Sequence, residues 1–345
     1  MGFSISQLGV LLYVIPAFTS FFVVPILGYE FSHAGGRAII YSATAAIFGY
    51  FISFKLTVKK KKYGITHPNK SYLNYSYILL LVGIFCAILN FLRVGVIPIF
   101  GGNDARVLLQ NSFLWNIYIF CSVGIFLFSF SELRYKAGRV GWGLLFSYML
   151  LALLSAWKGV LLNFMFLFFL PRYKNMKISA PKAFNIFVCF LSVFALVNGL
   201  RSGDFFSTLA QPVFYIYWGF VNFDNSAISA ASNCLHSIPV FGCKFAVDDG
   251  DLIISTWNVY TALTPLYVDG GVYLIVIVFF VFGFSAGFFE KTQNRLLFDY
   301  LHYMSFYFFF LAHNGYMMYS SSYFSALILI LFIEFFAKNY RIKSS

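Results

Sequence analysis

The stretch Gly141–Leu170, GWGLLFSYMLLALLSAWKGVLLNFMFLFFL, decides how this chain is laid out. A helix crossing a bilayer needs about 20 apolar residues, with a range of about 17–25 when tilted. This run is too long for one span and just long enough for two short ones. Its centre, Ser155-Ala156-Trp157-Lys158-Gly159, carries small and polar residues and reads as the tip of a hairpin. Outward from it lie further runs of spanning length: Leu8 to Leu27, Ala38 to Val58, Ser76 to Leu92 and Phe113 to Phe130 before it. Ala183 to Leu200, Gly270 to Phe289, Phe298 to Asn314 and Ser320 to Ala337 follow it.

Composition excludes a soluble reading. Hydrophobic residues make up 60% of the 345 residues and charged residues 10%, where a soluble domain carries about 25% charged. Mean hydropathy is +0.79. The aromatic share of 22%, with 47 Phe and 24 Tyr, suits a lipid-facing surface and interfacial belts. Intrinsic disorder, a disulfide scaffold and nucleic-acid binding drop out, and the net charge of +12 has to be read by position.

Position settles the hairpin. With ten spans and both termini inside, six of the 24 Lys and Arg fall outside: Arg37, Arg93, Arg106, Lys158, Arg201 and Lys244. The remaining eighteen are cytoplasmic, as the positive-inside rule requires. If Gly141 to Leu170 were one span, everything after it would invert, the cations would divide almost evenly, and Lys158 would be stranded in lipid. The expected fold is therefore an all-α polytopic membrane protein, a single integral membrane domain over residues 1–345. It has about ten transmembrane helices, cytoplasmic N- and C-termini, and a sizeable outer loop between helices 7 and 8, about 201–269. A second outer loop runs over about 93–112. The first span lacks a basic leader and a small-residue cleavage site, so it is expected to stay uncleaved.

Eight of the twelve acids are outer in this arrangement: Glu30, Asp104, Asp204, Asp224, Asp248, Asp249, Asp251 and Asp269. Arg37, directly before its span, reads as a helix-end cation reaching to headgroups. Arg93 admits that reading and a functional one equally. Arg106 follows Gly101-Gly102, where glycine leaves room for a ligand to approach, and Arg201 opens Arg201-Ser202-Gly203-Asp204 at a helix end. Lys158, at the tip of short helices, is expected below the membrane surface, where ionisable groups are functional candidates. Converging Arg and Lys in an outer cavity suit a phosphate or diphosphate, through guanidinium forks and a point charge. A structural salt-bridge network with the outer acids is the alternative reading. His313, in Ala312-His313-Asn314-Gly315-Tyr316, is placed to reach the same cavity. His33 and His236 sit in outer loops, His67 is cytoplasmic, and His302 lies in the cytoplasmic half of a span. Neither a metal-ligand pattern nor an ATPase phosphate loop is present in the sequence. Cys86, Cys121 and Cys189 fall in spans. Cys234 and Cys243 share the large outer loop, where an oxidising compartment leaves a disulfide and two free thiols both open.

The outer motifs resemble a family. Gly95-Val96-Ile97-Pro98-Ile99-Phe100 with Asp104-Ala105-Arg106 is similar to the outer loop of the Wzy-type O-antigen polymerases, which polymerise oligosaccharide repeat units. The run from Asn258 to Gly270, NVYTALTPLYVDG, resembles that family's approach to a late helix. The many spans, short middle hairpin and late outer loop extend the resemblance over nearly the whole chain. Two positions depart from it: the family often has Arg where this chain has Lys158, and Asp-Phe-Gly where it has Asp269-Gly270-Gly271.

The resemblance implies a metal-independent glycosyl transfer at the periplasmic face of the bacterial inner membrane, with no cofactor. A growing glycan on undecaprenyl diphosphate passes to the non-reducing end of a fresh lipid-linked unit. Membrane lipid and a chain-length regulator protein are the implied partners, and no nucleic acid. Arg93, Arg106, Lys158 and Arg201 would hold the diphosphate. Asp104, Asp204, Asp269 or His313 would serve the acceptor hydroxyl. Trp257, Tyr260 and Tyr267 offer flat faces for sugar rings, although aromatics are expected at any membrane interface. Two other activities fit the layout: a lipid-linked oligosaccharide flippase or transporter, and the O-antigen ligase. Spans nearly free of mid-depth ions and a chain without internal repeats speak against transport. A membrane O-acyltransferase fits less well, since it needs a clear catalytic His on its working face.

Overall fold

A computed structural model describes residues 2–56, 70–132, 135–155, 158–174, 176–179, 216–225, 261–292, 295–312 and 321–342, with single positions between 181 and 199 and around 235–238. For 102, 103, 158, 321, 322 and 337–342 it describes the backbone only. The described chain is almost entirely helical. The order is β1 (Gly2–Phe3), α1 (Ile5–Ile26), α2 (His33–Leu56), α3 (Lys70–Val94), α4 (Pro98–Gln110), α5 (Phe113–Cys121), α6 (Val123–Glu132), α7 (Arg139–Leu154) and α8 (Lys158–Tyr173). Then come β2 (Ile178–Ser179), a helical segment 216–225, α9 (Leu263–Lys291), α10 (Leu296–Leu311) and α11 (Ser321–Ile342). Five runs are long and apolar enough to cross a membrane: α1, α2, α3, α5 with α6, and α9. α7, α8, α10 and α11 are shorter and apolar.

Local sequence sets several boundaries. Ser4 caps α1, accepting from Gln7 N at 3.2 Å while the Gln7 side chain accepts from Ser4 N at 2.9 Å, a reciprocal capping box. The strand pair β1–β2 is antiparallel, with Gly2 opposite Ser179, and ties the start of the chain to the segment after α8.

The hairpin reading holds at the level of helices. α7 ends at Leu154 and α8 begins at Lys158. Trp142 meets Phe168 and Tyr148 meets Phe164, so the two run antiparallel. Three expectations are corrected. The connection 93–112 is helical from Pro98 to Gln110. Proline at the first helical position starts it, and buried Ile99, Ala105 and Leu109 give it an inner face. The glycine-rich approach to Arg106 is thus helix rather than open loop. α2 begins at His33, which puts Arg37 a full turn inside the helix rather than before it. The helix expected from Gly270 already starts at Leu263 and bends at Gly271, whose φ of 59° and ψ of −153° only glycine takes without strain.

The helices form two groups. α1, α2, α9 and α10 pack together, and α3 packs with α5, α6 and α7, with α8 against α6 and α7. The tightest crossing is α2 on α9. A Cβ on Gly283 would fall inside the Ala46 carbonyl, one on Gly49 would lie 2.8 Å from Phe284 N, and one on Gly287 would lie 2.8 Å from the Tyr50 carbonyl. Small residues let membrane helices approach backbone to backbone. Between α5 and α7, Tyr118 and Tyr148 stack at 4.5 Å, and each hydroxyl donates to the other's carbonyl.

The two groups meet at α8–α10. The Tyr303 hydroxyl donates to Asn163 Oδ1, Phe166 packs on Phe306 and Phe310, and Lys174 pairs with Asp299. That ion pair is almost solvent-free, its side chains 1% and 4% exposed. One turn along α10, His302 Nε2 lies 2.5 Å from Ser6 Oγ, and Glu334 of α11 accepts from Leu297 N at 3.0 Å and from Arg295.

Candidate functional site

Helix direction determines which residues share a face. Gly83 of α3 packs on Tyr148 and Tyr77 lies against Gly141, so α3 and α7 run parallel. The Arg93 end of α3 and the hairpin tip at Lys158 therefore point the same way. Ala46 lies opposite Gly283 and Tyr50 opposite Gly287, so α2 and α9 also run parallel. Phe282 stacks on Phe308, Phe289 meets Phe298, and Ala262 N donates to the Ala312 carbonyl at 2.7 Å, making α10 antiparallel to α9. Lys174 at the end of α8 reaches the start of α10, so the start of α8 lies toward the end of α10. One face of the bundle thus collects the end of α3, the start of α8, the start of α9 and the end of α10. Arg93, Lys158, Tyr267 and Asp269 all belong to it.

Arg93 is exposed and fastens α4. Its Nη2 donates to the Leu108 carbonyl at 2.6 Å, its Nε donates to Asn90 Oδ1 at 3.1 Å, and Asn90 Nδ2 donates to the Leu109 carbonyl at 3.0 Å. Carbonyls near a helix C-terminus lack intrahelical partners, and a cation there complements the helix dipole. Arg93 and Asn90 therefore set the angle of α4 across the end of the bundle. α4 also packs on α5 and α7, which brings Arg106, half-buried with its Nε away from solvent, to the side of the hairpin. Asp104, two residues earlier on α4, is exposed. Asp269 accepts from Ser237 N, and Tyr267 packs edge-on against Phe223 at 5.7 Å. Arg201, Asp204, Trp257, Tyr260 and His313, together with Cys234 and Cys243, lie outside the described residues, as does the Lys158 side chain.

A hollow of about 390 Å³ opens at the same face, between the α1–α2 connection and segment 216–225. Tyr29, Glu30, Phe31, Ser32, Asp224 and Asn225 line it. Asp224, 2% exposed, accepts from Ser32 N at 2.7 Å, Ser32 Oγ at 2.6 Å and the Tyr29 hydroxyl at 3.0 Å. Ser32 Oγ in turn accepts from Gly35 N at 3.0 Å, so Asp224 holds the first turn of α2 from a neighbouring segment. Gly35 is required there, because a Cβ would overlap the carboxylate. Burial, then the Asp224 carboxylate, push the Tyr29 phenol above its ordinary range. Asp224→Ala is expected to lower stability by roughly 1–3 kcal/mol, by leaving buried donors unpartnered. A thermal unfolding curve unchanged in detergent would show that this carboxylate does not hold α2.

In the sequence alone Asp224 is one more outer acid and Lys174 belongs to a cytoplasmic connection. A signal existed for the second: Asp299 and His302 lie three apart in an apolar run, hence on one helix face.

No curated protein and no solved structure matches the chain. A family model does, over residues 4–218, well over half of the chain, and its description reads "Putative O-antigen polymerase". The match covers α1 to α8, including the Arg93 clamp, α4 and the hairpin. With apolar helices of spanning length bound into one bundle, this chain belongs to the O-antigen polymerase family of membrane proteins.

Proposed function

We propose that this protein polymerises undecaprenyl-diphosphate-linked repeat units at the periplasmic face of the inner membrane, without a metal. The family match supports the reading, and the shared face of Arg93, α4, Lys158 and Asp269 is compatible with it. The arrangement proposed is a single membrane domain of ten spans with both termini cytoplasmic. In support, Lys55, Lys70, Arg139, Arg172, Lys174, Lys291 and Arg295 lie at helix ends opposite that face. As the bond from sugar to lipid diphosphate breaks, charge develops on the leaving phosphate. Arg106 and Lys158, with Arg201 from the following outer segment, would meet it with cationic donors. Asp104, Asp204, Asp269 or His313 would orient or deprotonate the acceptor hydroxyl, and Trp257, Tyr260 and Tyr267 would stack on sugar rings.

A deletion strain is expected to show lipopolysaccharide of core plus a single repeat, with the ladder restored by the wild-type gene. Arg106→Ala should reach the membrane at wild-type level yet cut polymer by roughly a hundredfold, the usual effect of removing one transition-state donor. A normal ladder from that variant removes Arg106 from the site. Wholly uncapped core in the deletion strain would point to a ligase or flippase, and an undisturbed ladder would reject the O-antigen role.

A further inference from the structure

The α2–α9 pair carries a feature the polymerase reading does not use. Below the tight crossing at Gly49 and Gly283 the helices touch, and beside it they leave an apolar groove of about 230 Å³. Tyr41, Thr44, Ala45 and Phe48 of α2 and Val276 and Phe280 of α9 line it. Tyr41 and Phe48 are 46% and 62% exposed, so the groove opens sideways to lipid. Its volume is below the roughly 300–1,000 Å³ of a pocket that encloses a whole ligand, so it suits one stretch of a chain that continues beyond it.

Arg37 stands at the end of this groove. Residues 37, 41, 44, 45 and 48 fall at intervals of four, three, one and three, a single stripe down α2. Arg37 is exposed, and its Nε donates to the His33 carbonyl at 3.1 Å, directing the guanidinium along the helix end. Among the described residues it makes no ion pair with a carboxylate. Because α2 and α9 run parallel with Ala46 opposite Gly283, Arg37 comes level with the residues just after the Gly271 bend. Asp269 and Tyr267 precede that level on α9 by about one and a half and two turns, across the bend.

We infer that this groove seats the polyprenyl tail of the lipid-linked substrate, with Arg37 on its phosphate. The inference rests on the polymerase reading for the identity of the lipid. An apolar trough ending under a guanidinium matches an amphiphile with an anionic head at the outer surface. A substrate lying there would hold its head group at the same face of the bundle as Asp269. A bilayer phospholipid shares this chemistry, so the competitor in the test separates the two occupants.

The test is retention of undecaprenyl diphosphate, without glycan, by the purified full-length protein in native mass spectrometry, with phosphatidylglycerol as competitor. Thr44→Trp fills the groove from an exposed position, and Arg37→Gln removes the cation. Each is expected to lower retention by roughly tenfold, as loss of one charge-assisted contact or of the seat would. A photoreactive residue at Phe48 should label the prenyl chain. Unchanged retention in Thr44→Trp, or labelling of phosphatidylglycerol as strongly as the diphosphate, overturns the proposal. The size-exclusion profile of each variant separates lost binding from lost folding, and the Phe48 label reports on the otherwise wild-type protein. If the groove variants lose the carrier while a deletion strain keeps a full ladder, the groove stands and the polymerase reading fails. If the deletion abolishes polymer but the variants bind and complement normally, the reading stands and the groove fails.

Discussion

Lys174→Met is expected to destabilise the protein by roughly 3–5 kcal/mol, because it leaves the Asp299 carboxylate buried without its countercharge. The pair joins the end of α8 to the start of α10, with side chains 1% and 4% exposed, so water cannot take the lost partner's place. Asp299→Leu should cost a similar amount by stranding the ammonium. The double variant, Lys174→Met with Asp299→Leu, should recover most of the loss, since replacing both members of a buried pair with apolar groups is often neutral or better. Unfolding midpoints of the four proteins in detergent would settle it. Two single variants that match wild type would mean that the pair is solvated in the membrane-embedded protein and holds nothing. The wider cluster argues otherwise. Glu334 accepts from the first turn of α10 and from Arg295, and His302 meets Ser6, so α1, α8, α10 and α11 all converge at this end.

Gly283→Leu is expected to separate α2 from α9 and to keep the protein from accumulating in the membrane. Even a Cβ at this position would overlap the Ala46 carbonyl and come within 3.1 Å of its Cα. Both are backbone atoms, which cannot swing aside as the end of a flexible side chain can. Overpacking a close-packed interior costs roughly 1–3 kcal/mol even where side chains adjust, and here a whole helix must move. Gly49→Leu, facing the Phe280 carbonyl and Phe284 N, should act alike. The control is Gly143→Ala on α7, where no atom lies within 4 Å of the added carbon. That change should leave the protein level unchanged or slightly raised, because alanine favours helix more than glycine does. Equal membrane levels for Gly283→Leu and wild type would show that this crossing is looser than its geometry implies.

Much of the helix pattern is legible in the sequence. The break at Ser155–Gly159 follows from length and from a lysine that cannot be left in hydrocarbon, and α7 and α8 do part there. The helices at Leu8 to Leu27 and Phe113 to Phe130 follow from apolar length, although the second is interrupted at Ser122. The Pro98–Gln110 helix is not legible in the sequence, because its glycines and charges have the composition of a loop, while its buried face of Ile99, Ala105 and Leu109 exists only once α3, α5 and α7 are there to cover it.

For the site, the sequence by itself determined which residue types were available and, through charge bias, an expectation that they gather on one side. Those are properties of composition and chain order, and the cost of a charge in hydrocarbon depends on neither partner nor packing. Only the tertiary structure decided that Arg93 fastens α4, that Asp224 closes the first turn of α2, that Lys174 and Asp299 find each other across 125 residues, and that Arg37 lies on the stripe of an apolar groove. Each depends on two helices distant in sequence meeting at one register. No local pattern encodes that register, because it is set by how glycines, tyrosines and phenylalanines of different helices interlock.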